Sequence, residues 1–251
     1  MLDVKIDNAI ASGRTYGNPE VQHALFTRLR SDDPVHWATP EGFRPFWTIT
    51  KAADIMEVER QQDVFVNAPR AKLLPLEWEQ RVAEITGGRP VLVRSLPQMD
   101  GAEHKAYRQL TQAWFQPKQV KSMSDTIGEL ARRAVAELSA CGGQCDYYRE
   151  VAVWYPLRVI MTILGLPERD APLLLRITDR FFGAGGPGKH QGSEFIEAAK
   201  EYTAYFDEVS RARRLTPTDD VASLIANATI DGHPIGQLEA CSFYISLASA
   251  G

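Results

Sequence analysis

The sequence predicts a mainly α protein with a small β-sheet near its N-terminus, and three observations predict it. Apolar residues recur at three- and four-residue spacing through the second half, as in Val120, Met123, Ile127, Leu130, Ala134 and Leu138. Extended, aromatic-containing stretches are confined to Pro34–Ala38 and Phe46–Thr50, with Pro40, Glu41 and Gly42 as the turn between them. Glycine and proline stop the periodic runs where helices should end, at Gly142–Gly143 and at Gly165 with Pro167.

In chain order, Met1–Pro34 is mixed and polar, with one short amphipathic helix at Asn18–Arg30 whose Val21, Leu25 and Leu29 share a face. Trp37 and Trp47 read as sheet-packing residues. Lys51–Arg60 reads as a helix with Ile55 and Val58 inward, and Asp63–Asn67 as a short extended piece. Ala68–Gln98 is the least regular region. Its apolar residues, Leu92 and Leu96 among them, are interrupted by Pro75, Gly87, Gly88, Pro90 and Pro97, which suits a flap or a pocket lining.

Met99–Pro117 follows, reading MDGAEHKAYRQLTQAWFQP. Asp100 is a good N-cap, Glu103 completes a capping-box-like pair, and Pro117 stops the helix after about four turns. Leu110, Trp114 and Phe115 can anchor it to a core. Beyond it come helices at Pro117–Ala140 and Val151–Leu164, the second apolar almost all round and therefore buried. Glu168–Phe182 is another helix, and Gly183–Gly192, with five glycines and Pro187, is a flexible connection. Glu194–Arg214 is a long helix with Phe195, Ala199, Tyr202, Phe206 and Val209 inward. Asp231–Gly232 fits a turn, and Gln237–Gly251 begins a last helix.

Composition narrows the function classes. The chain has 251 residues, 44% hydrophobic and 24% charged, with net charge −4, which fits one domain over 1–251 and disfavours a general nucleic-acid role. No apolar run reaches the roughly 18 residues of a membrane span. Asp3, Lys5 and Asp7 break up the N-terminus, so it is no secretory signal. Three cysteines, an odd number in no framework pattern, fit a reducing cytoplasm. No phosphate-cradling G-x-x-x-x-G-K-[ST] and no G-x-S-x-G nucleophile motif occurs. Cys141-x-x-x-Cys145 lacks a partner pair for metal, and His23, His36, His190 and His233 show no ligand spacing.

The informative pair is His104 and Arg108. At i and i+4 on a helix they lie one above the other. If both are charged they repel, unless an anion sits between them. Arginine offers a planar fork that matches a carboxylate, and histidine can donate one more hydrogen bond. A solvated surface pair is the plain alternative.

The string M-D-x-x-x-H-x-x-x-R-x-L-x-x-x-x-F-x-P resembles the C-helix of the cytochrome P-450 family, the haem-thiolate monooxygenases. CDYYREVAVWYPLRVIMTILGLP at 145–167 and RITDRFFG at 176–183 resemble the D–F region. PTDDVASLIANATIDG at 217–232 resembles the G–H region, and LASAG at 247–251 the start of the oxygen-binding I-helix. The WFQP step, the YPL-x-V-x-MT-x-LG block and RFFG are most similar to the bacterial terpineol-type branch. The resemblance covers nearly the whole chain from about Asp33 onward.

It implies a cytochrome P-450 fold, present in its N-terminal part only, and haem b held by His104 and Arg108 through a propionate. It implies that Ala250 and Gly251 border the haem. Ser246, Ser249, Phe181 and Phe182, with Leu92 and Leu96, would line an apolar substrate pocket suited to a monoterpenoid or alkylbenzene. The partners implied are a small hydrophobic substrate, O2 and a ferredoxin-type electron donor, which Lys105, Lys118 and Lys121 could meet. None of Cys141, Cys145 and Cys241 sits in the haem-ligating F-x-x-G-x-x-x-C-x-G loop, and the acid and threonine of the I-helix motif would follow Gly251. The sequence therefore reads as the first part of a longer monooxygenase. A non-catalytic all-α protein that binds a hydrophobic ligand stays open as the alternative.

Overall fold

The computed structural model describes the backbone of residues 2–183 and 191–249, and side chains over 6–181 and 194–248. Among the described residues the chain is mainly helical with two short hairpins. It divides into two compact units, one of residues up to Leu92 with Pro97–Gly101, the other of Val93–Leu96 with Ala102 onward.

The first unit holds α1 (Leu2–Ile10), α2 (Gly13–Tyr16), α3 (Pro19–Asp32), β1 (Val35–Ala38), β2 (Phe46–Ile49), α4 (Ala52–Arg60) and α5 (Leu76–Thr86). Asn18 caps α3 by accepting from the Val21 amide at 3.3 Å, with Pro19 at the first helical position. Strands β1 and β2 pair antiparallel, Trp37 opposite Trp47. These rings meet at 4.8 Å, yet remain 47% and 60% exposed, so they pack on each other more than on a core. The core here is Ile10, Leu29 and Ala38, ringed by Ile6, Leu25, Phe26 and Phe46.

A polar clasp joins α1 to β1. Asp7 Oδ2 accepts from the Thr39 amide at 2.8 Å and hydroxyl at 2.9 Å. His36 bridges Asp7 and Asp33, each ring nitrogen 2.7 Å from a carboxylate oxygen. Both acceptors are carboxylates, so both ring nitrogens donate and the imidazole is protonated.

The unit corrects four expectations. Helices α1 and α2 lie in the stretch read as mixed and polar. Helix α5 lies inside the stretch read as irregular, entered after Pro75 and closed by Gly87 at φ +67°. Asp63–Asn67 is part of a turn, with Val64 and Phe65 amides both donating to the Gln61 carbonyl at 2.9 Å. Ile55 is exposed, and α4 has no buried residue.

The second unit holds α6 (Gly101–Gln112, starting at the boundary), α7 (Pro117–Ser122), α8 (Ser124–Ala140), α9 (Trp154–Leu164), α10 (Ala171–Gly183), α11 (Gln191–Leu215), α12 (Val221–Ala226), β3 (Thr229–Ile230), β4 (His233–Pro234) and α13 (Gln237–Ser249). A π-turn at Tyr148–Ala152 leads into α9, which ends at Gly165 in the left-handed conformation. Leu157, Met161, Leu164, Leu174 and Ile177 from α9 and α10 are buried with Tyr202 and Phe206 of α11 and Val221 and Ile225 of α12. Tyr202 stacks on Phe206 at 5.8 Å, and Phe206 on Tyr244 of α13 at 4.8 Å. Asp231 and Gly232, at φ +50° and +78°, make the two-residue turn between β3 and β4.

Here too the structure departs from the reading. The helix expected to run to Pro117 stops at Gln112, and residues 113–116 form turns before α7. The single helix expected over Pro117–Ala140 breaks at Met123 into α7 and α8. The glycine-rich connection at 183–192 falls mostly outside the described residues.

Candidate functional site

Helix α6 presents the His104–Arg108 pair. Buried Tyr107 and Thr111, four residues apart, define its inner stripe, and Tyr107 stacks on Phe243 of α13 with ring centres 6.2 Å apart. At about 100° per residue, His104 lies roughly 60° round the helix from Tyr107 and Arg108 roughly 100°. The two side chains therefore flank the buried stripe on one side. His104 is half-buried and Arg108 exposed.

The charges around them are already engaged. Glu103, expected to fold back in a capping box, pairs with Arg94 instead. Arg94 also reaches Glu239 of α13 at 3.4 Å, and its backbone amide donates to Ser242 Oγ at 2.8 Å. One residue thus ties the 93–96 strap to both α6 and α13. Asp100 carries out a further task besides its place beside α6. Its carboxylate accepts from the Asn67 amide at 3.0 Å and the Ala68 amide at 2.7 Å. Among the described residues, neither His104 nor Arg108 has a hydrogen-bond or ion-pair partner.

Such a pair fits the carboxylate arms of a haem. Two adjacent donors lie on a core-anchored helix with no partner among the described residues, and both can donate to one carboxylate. A further free donor is Trp114 Nε1, which is buried with no acceptor among the described residues. The sequence reading took Trp114 only as an apolar anchor. Its ring meets Phe115 edge-on at 5.5 Å, and Phe115 is itself 41% exposed.

The other predicted residues are more dispersed. Leu96 is half-buried and opens the 3-10 turn Leu96–Gln98. Leu92 is half-buried in the first unit. Phe181 packs between α10 and α11, 4.4 Å from Phe195 and edge-on to Tyr202 at 5.7 Å. Ser246 is half-buried, and its hydroxyl donates back to the Ser242 carbonyl at 2.7 Å, which leaves little of its polarity facing outward. The side chains of Phe182 and Ser249, and the whole of Ala250 and Gly251, lie outside the described residues. A groove of about 200 Å³ in the first unit is lined by Arg44, Arg70, Leu76, Glu79, Ala83 and Pro90, and none of the predicted residues borders it. No described helix is long and apolar enough to cross a membrane.

No protein-family model matches the chain. Among curated proteins it is 36% identical over 248 residues to cytochrome P450-terp of a Pseudomonas species, covering 94% of this chain and 58% of that protein. It is 27% identical over 229 residues to the steroid C26-monooxygenase of Mycolicibacterium smegmatis, covering 89% of this chain and 52% of the other. Among solved structures, CYP108D1 from Novosphingobium aromaticivorans superposes with TM-score 0.84 at 34% identity, covering the whole of this chain and 61% of that one. Mycobacterium marinum cytochrome P450 CYP268A2, solved with pseudoionone, gives TM-score 0.78 at 25% identity, covering 97% and 58%. The chain thus spans little more than half the length of the curated relatives it matches.

Proposed function

The chain belongs to the cytochrome P450 family over the part of that fold it spans, and from this premise we propose that the whole protein is a haem-dependent monooxygenase acting on a small hydrophobic substrate. The observation that carries the proposal is the His104–Arg108 pair on α6, which has no partner among the described residues. When bound, the haem would supply the oxygen-activating redox chemistry that no side chain can perform. The chain's own part is to hold it. The His104 imidazole and the Arg108 guanidinium would donate to propionate oxygens, each charge-assisted bond contributing roughly 1.5–3 kcal/mol where water is excluded. Tyr107, Thr111 and the Arg94 tie fix the helix that carries the donors, so little ordering remains to be done on binding.

The substrate class rests on the family resemblance, by which Leu92, Leu96, Phe181, Phe182, Ser246 and Ser249 would line an apolar pocket suited to a monoterpenoid or alkylbenzene. The similarity to P450-terp supports a terpenoid. The electrons would come from a ferredoxin-type protein, and the lysines at 105, 118 and 121 suit an acidic donor. Haem b is the form proposed, and domain unity over 1–251 belongs to the same reading.

The test uses the whole protein, reduced under carbon monoxide, alongside His104→Ala and Arg108→Ala. A thiolate-type Soret band in the wild type, with haem retention falling about tenfold or more in each variant, is expected, since roughly 1.4 kcal/mol is a factor of ten. Absence of that band in the wild type overturns the monooxygenase reading. Unchanged haem retention in both variants overturns the assignment of the two residues. Monoterpenes that bind should shift the haem spin state and yield hydroxylated product with an electron-transfer system, whereas binding without product points to a ligand carrier.

A further inference from the structure

The groove in the first unit is bordered by charges that do not cancel. Arg44 comes from the β1–β2 connection, Arg70 from the stretch before α5, and Glu79 from the first turn of α5. Local bonds hold these three segments together. Phe43 bridges to Pro75, and the Leu76 amide donates to the Gly42 carbonyl at 2.8 Å, which ties the β1–β2 connection to the start of α5. The Asn67 and Ala68 amides donate to Asp100, which anchors the approach to Arg70. Both guanidiniums then converge on one carboxylate oxygen. Arg44 Nε donates to Glu79 Oε2 at 2.6 Å, and Arg70 Nε lies 3.4 Å from the same atom. Among the described residues neither guanidinium has another partner, so the Nη groups keep their donor capacity. The Glu79 side chain is 15% exposed and the two arginines about half exposed.

We propose that this groove binds a small organic monocarboxylate, a compact apolar body carrying one carboxylate, for which benzoate is the probe. The site is separate from the haem-directed pair on α6 and does not rest on the monooxygenase reading.

Three properties of the groove select that class. Two guanidiniums against one carboxylate leave an excess positive charge, and Lys72, which borders the adjoining hollow, adds to it. The planar guanidinium fork matches a carboxylate in two parallel hydrogen bonds. Leu76, Ala83 and Pro90 supply an apolar wall beside the charges, which favours an organic anion over an inorganic one. At about 200 Å³ the groove falls below the roughly 300 Å³ at which pockets for drug-sized ligands begin, so its occupant is small. Glu79 is the built-in competitor. It already occupies the Nε donors, and its charge opposes that of an incoming carboxylate.

The test is a calorimetric titration of the full chain with benzoate, with benzyl alcohol and inorganic phosphate for comparison. It is carried out in the His104→Ala, Arg108→Ala background, so that no carboxylate drawn to that pair is counted. One benzoate per chain should bind with a Kd on the order of 1 mM, more weakly as salt is raised. Arg44→Gln and Arg70→Gln should each weaken binding about tenfold. Glu79→Gln, which releases both guanidiniums, should tighten it about threefold. Far-UV circular dichroism checks the fold of each variant, and if Glu79→Gln does not fold the two arginine variants decide alone. The proposal is overturned if no saturable binding occurs up to about 10 mM. It is equally overturned if benzyl alcohol or phosphate binds as well as benzoate, if either arginine variant keeps full affinity, or if a folded Glu79→Gln fails to tighten. Benzoate binding seen with the pair on α6 intact and lost in this background overturns the groove and leaves the haem assignment standing.

Discussion

Replacing Gly165 by alanine should show how one carboxylate joins three segments. Gly165 ends α9 at φ +67°. Its carbonyl accepts from Arg213 Nη2 at 2.6 Å. Arg213 Nε in turn donates to Asp220 Oδ2 at 2.8 Å. Asp220 also accepts from the Ser223 amide at 2.6 Å, which caps α12, and from the Thr218 hydroxyl at 2.6 Å. A Cβ on residue 165 would fall inside the Asp220 side chain, 2.7 Å from its Cβ. The left-handed conformation alone costs a non-glycine residue about 1–2 kcal/mol. Moving Asp220 aside forfeits a cap, about 1 kcal/mol. It also loosens a nearly buried charge-assisted bond, about 2 kcal/mol. Gly165→Ala should therefore destabilise by about 4 kcal/mol, a large share of the roughly 5–15 kcal/mol typical of a domain. Asp220→Ala should cost about 3 kcal/mol by the same cap and bond. In the double variant the clash is gone and only the backbone strain of about 1 kcal/mol adds, so the total should be about 4 kcal/mol instead of about 7. Urea unfolding followed by far-UV circular dichroism measures all three. Losses that add within about 0.5 kcal/mol, or a Gly165→Ala loss below about 1 kcal/mol, would refute this account of the junction.

Other outcomes follow from single observations. Burial lowers the pKa of His36, but hydrogen bonds to Asp33 and Asp7 and their charges outweigh it and leave the pKa raised. Its stabilisation is then complete below about pH 6.5 and is lost as pH rises through the folded value; His36→Asn should flatten the urea-midpoint profile above neutrality, and an unchanged slope would count against the clasp. Asp7 has a lowered pKa despite the opposing effect of burial, because His36 and Thr39 donate to it, so its share is lost on the acid side as pH falls through that lowered value. Arg94→Ala should cost no more than about 1 kcal/mol, because Arg94 and Glu103 are more than a third exposed, and the loss should shrink in high salt. His104→Ala and Arg108→Ala should leave the stability of the unloaded chain within about 0.5 kcal/mol, because neither residue has a partner to lose among the described residues; a greater loss in thermal scans would mark them as structural.

Elements marked by local chemistry were legible in the sequence. Asn18 before Pro19 announced α3, Gly165 the end of α9, and Asp231–Gly232 the β3–β4 turn. Helix α5 was marked too, by Pro75 at its start and Gly87 at its end, but among so many prolines and glycines these looked like interruptions. The break at Met123 was hidden because apolar spacing runs on across a one-residue fault. At the candidate site, the stacking of His104 over Arg108 follows from helix geometry alone. Their lack of partners among the described residues does not, since Glu103 stands next to His104 in sequence and is taken by Arg94, nine residues earlier. Asp100 and Glu103 had capping-box spacing, yet Asp100 holds the Ala68 amide from 32 residues away and Glu103 pairs with Arg94, bonds that no capping pattern encodes.

The clasp between Asp7 and the first strand has a consequence for how this end of the protein opens. Strands of four residues are too short to persist as a free hairpin in water. Strand β1 therefore depends on the nine-residue helix before it, and that helix depends on the strand, through the same carboxylate. The amides of both should exchange with deuterium at a common rate, as a single foldon, even though they share no backbone ladder.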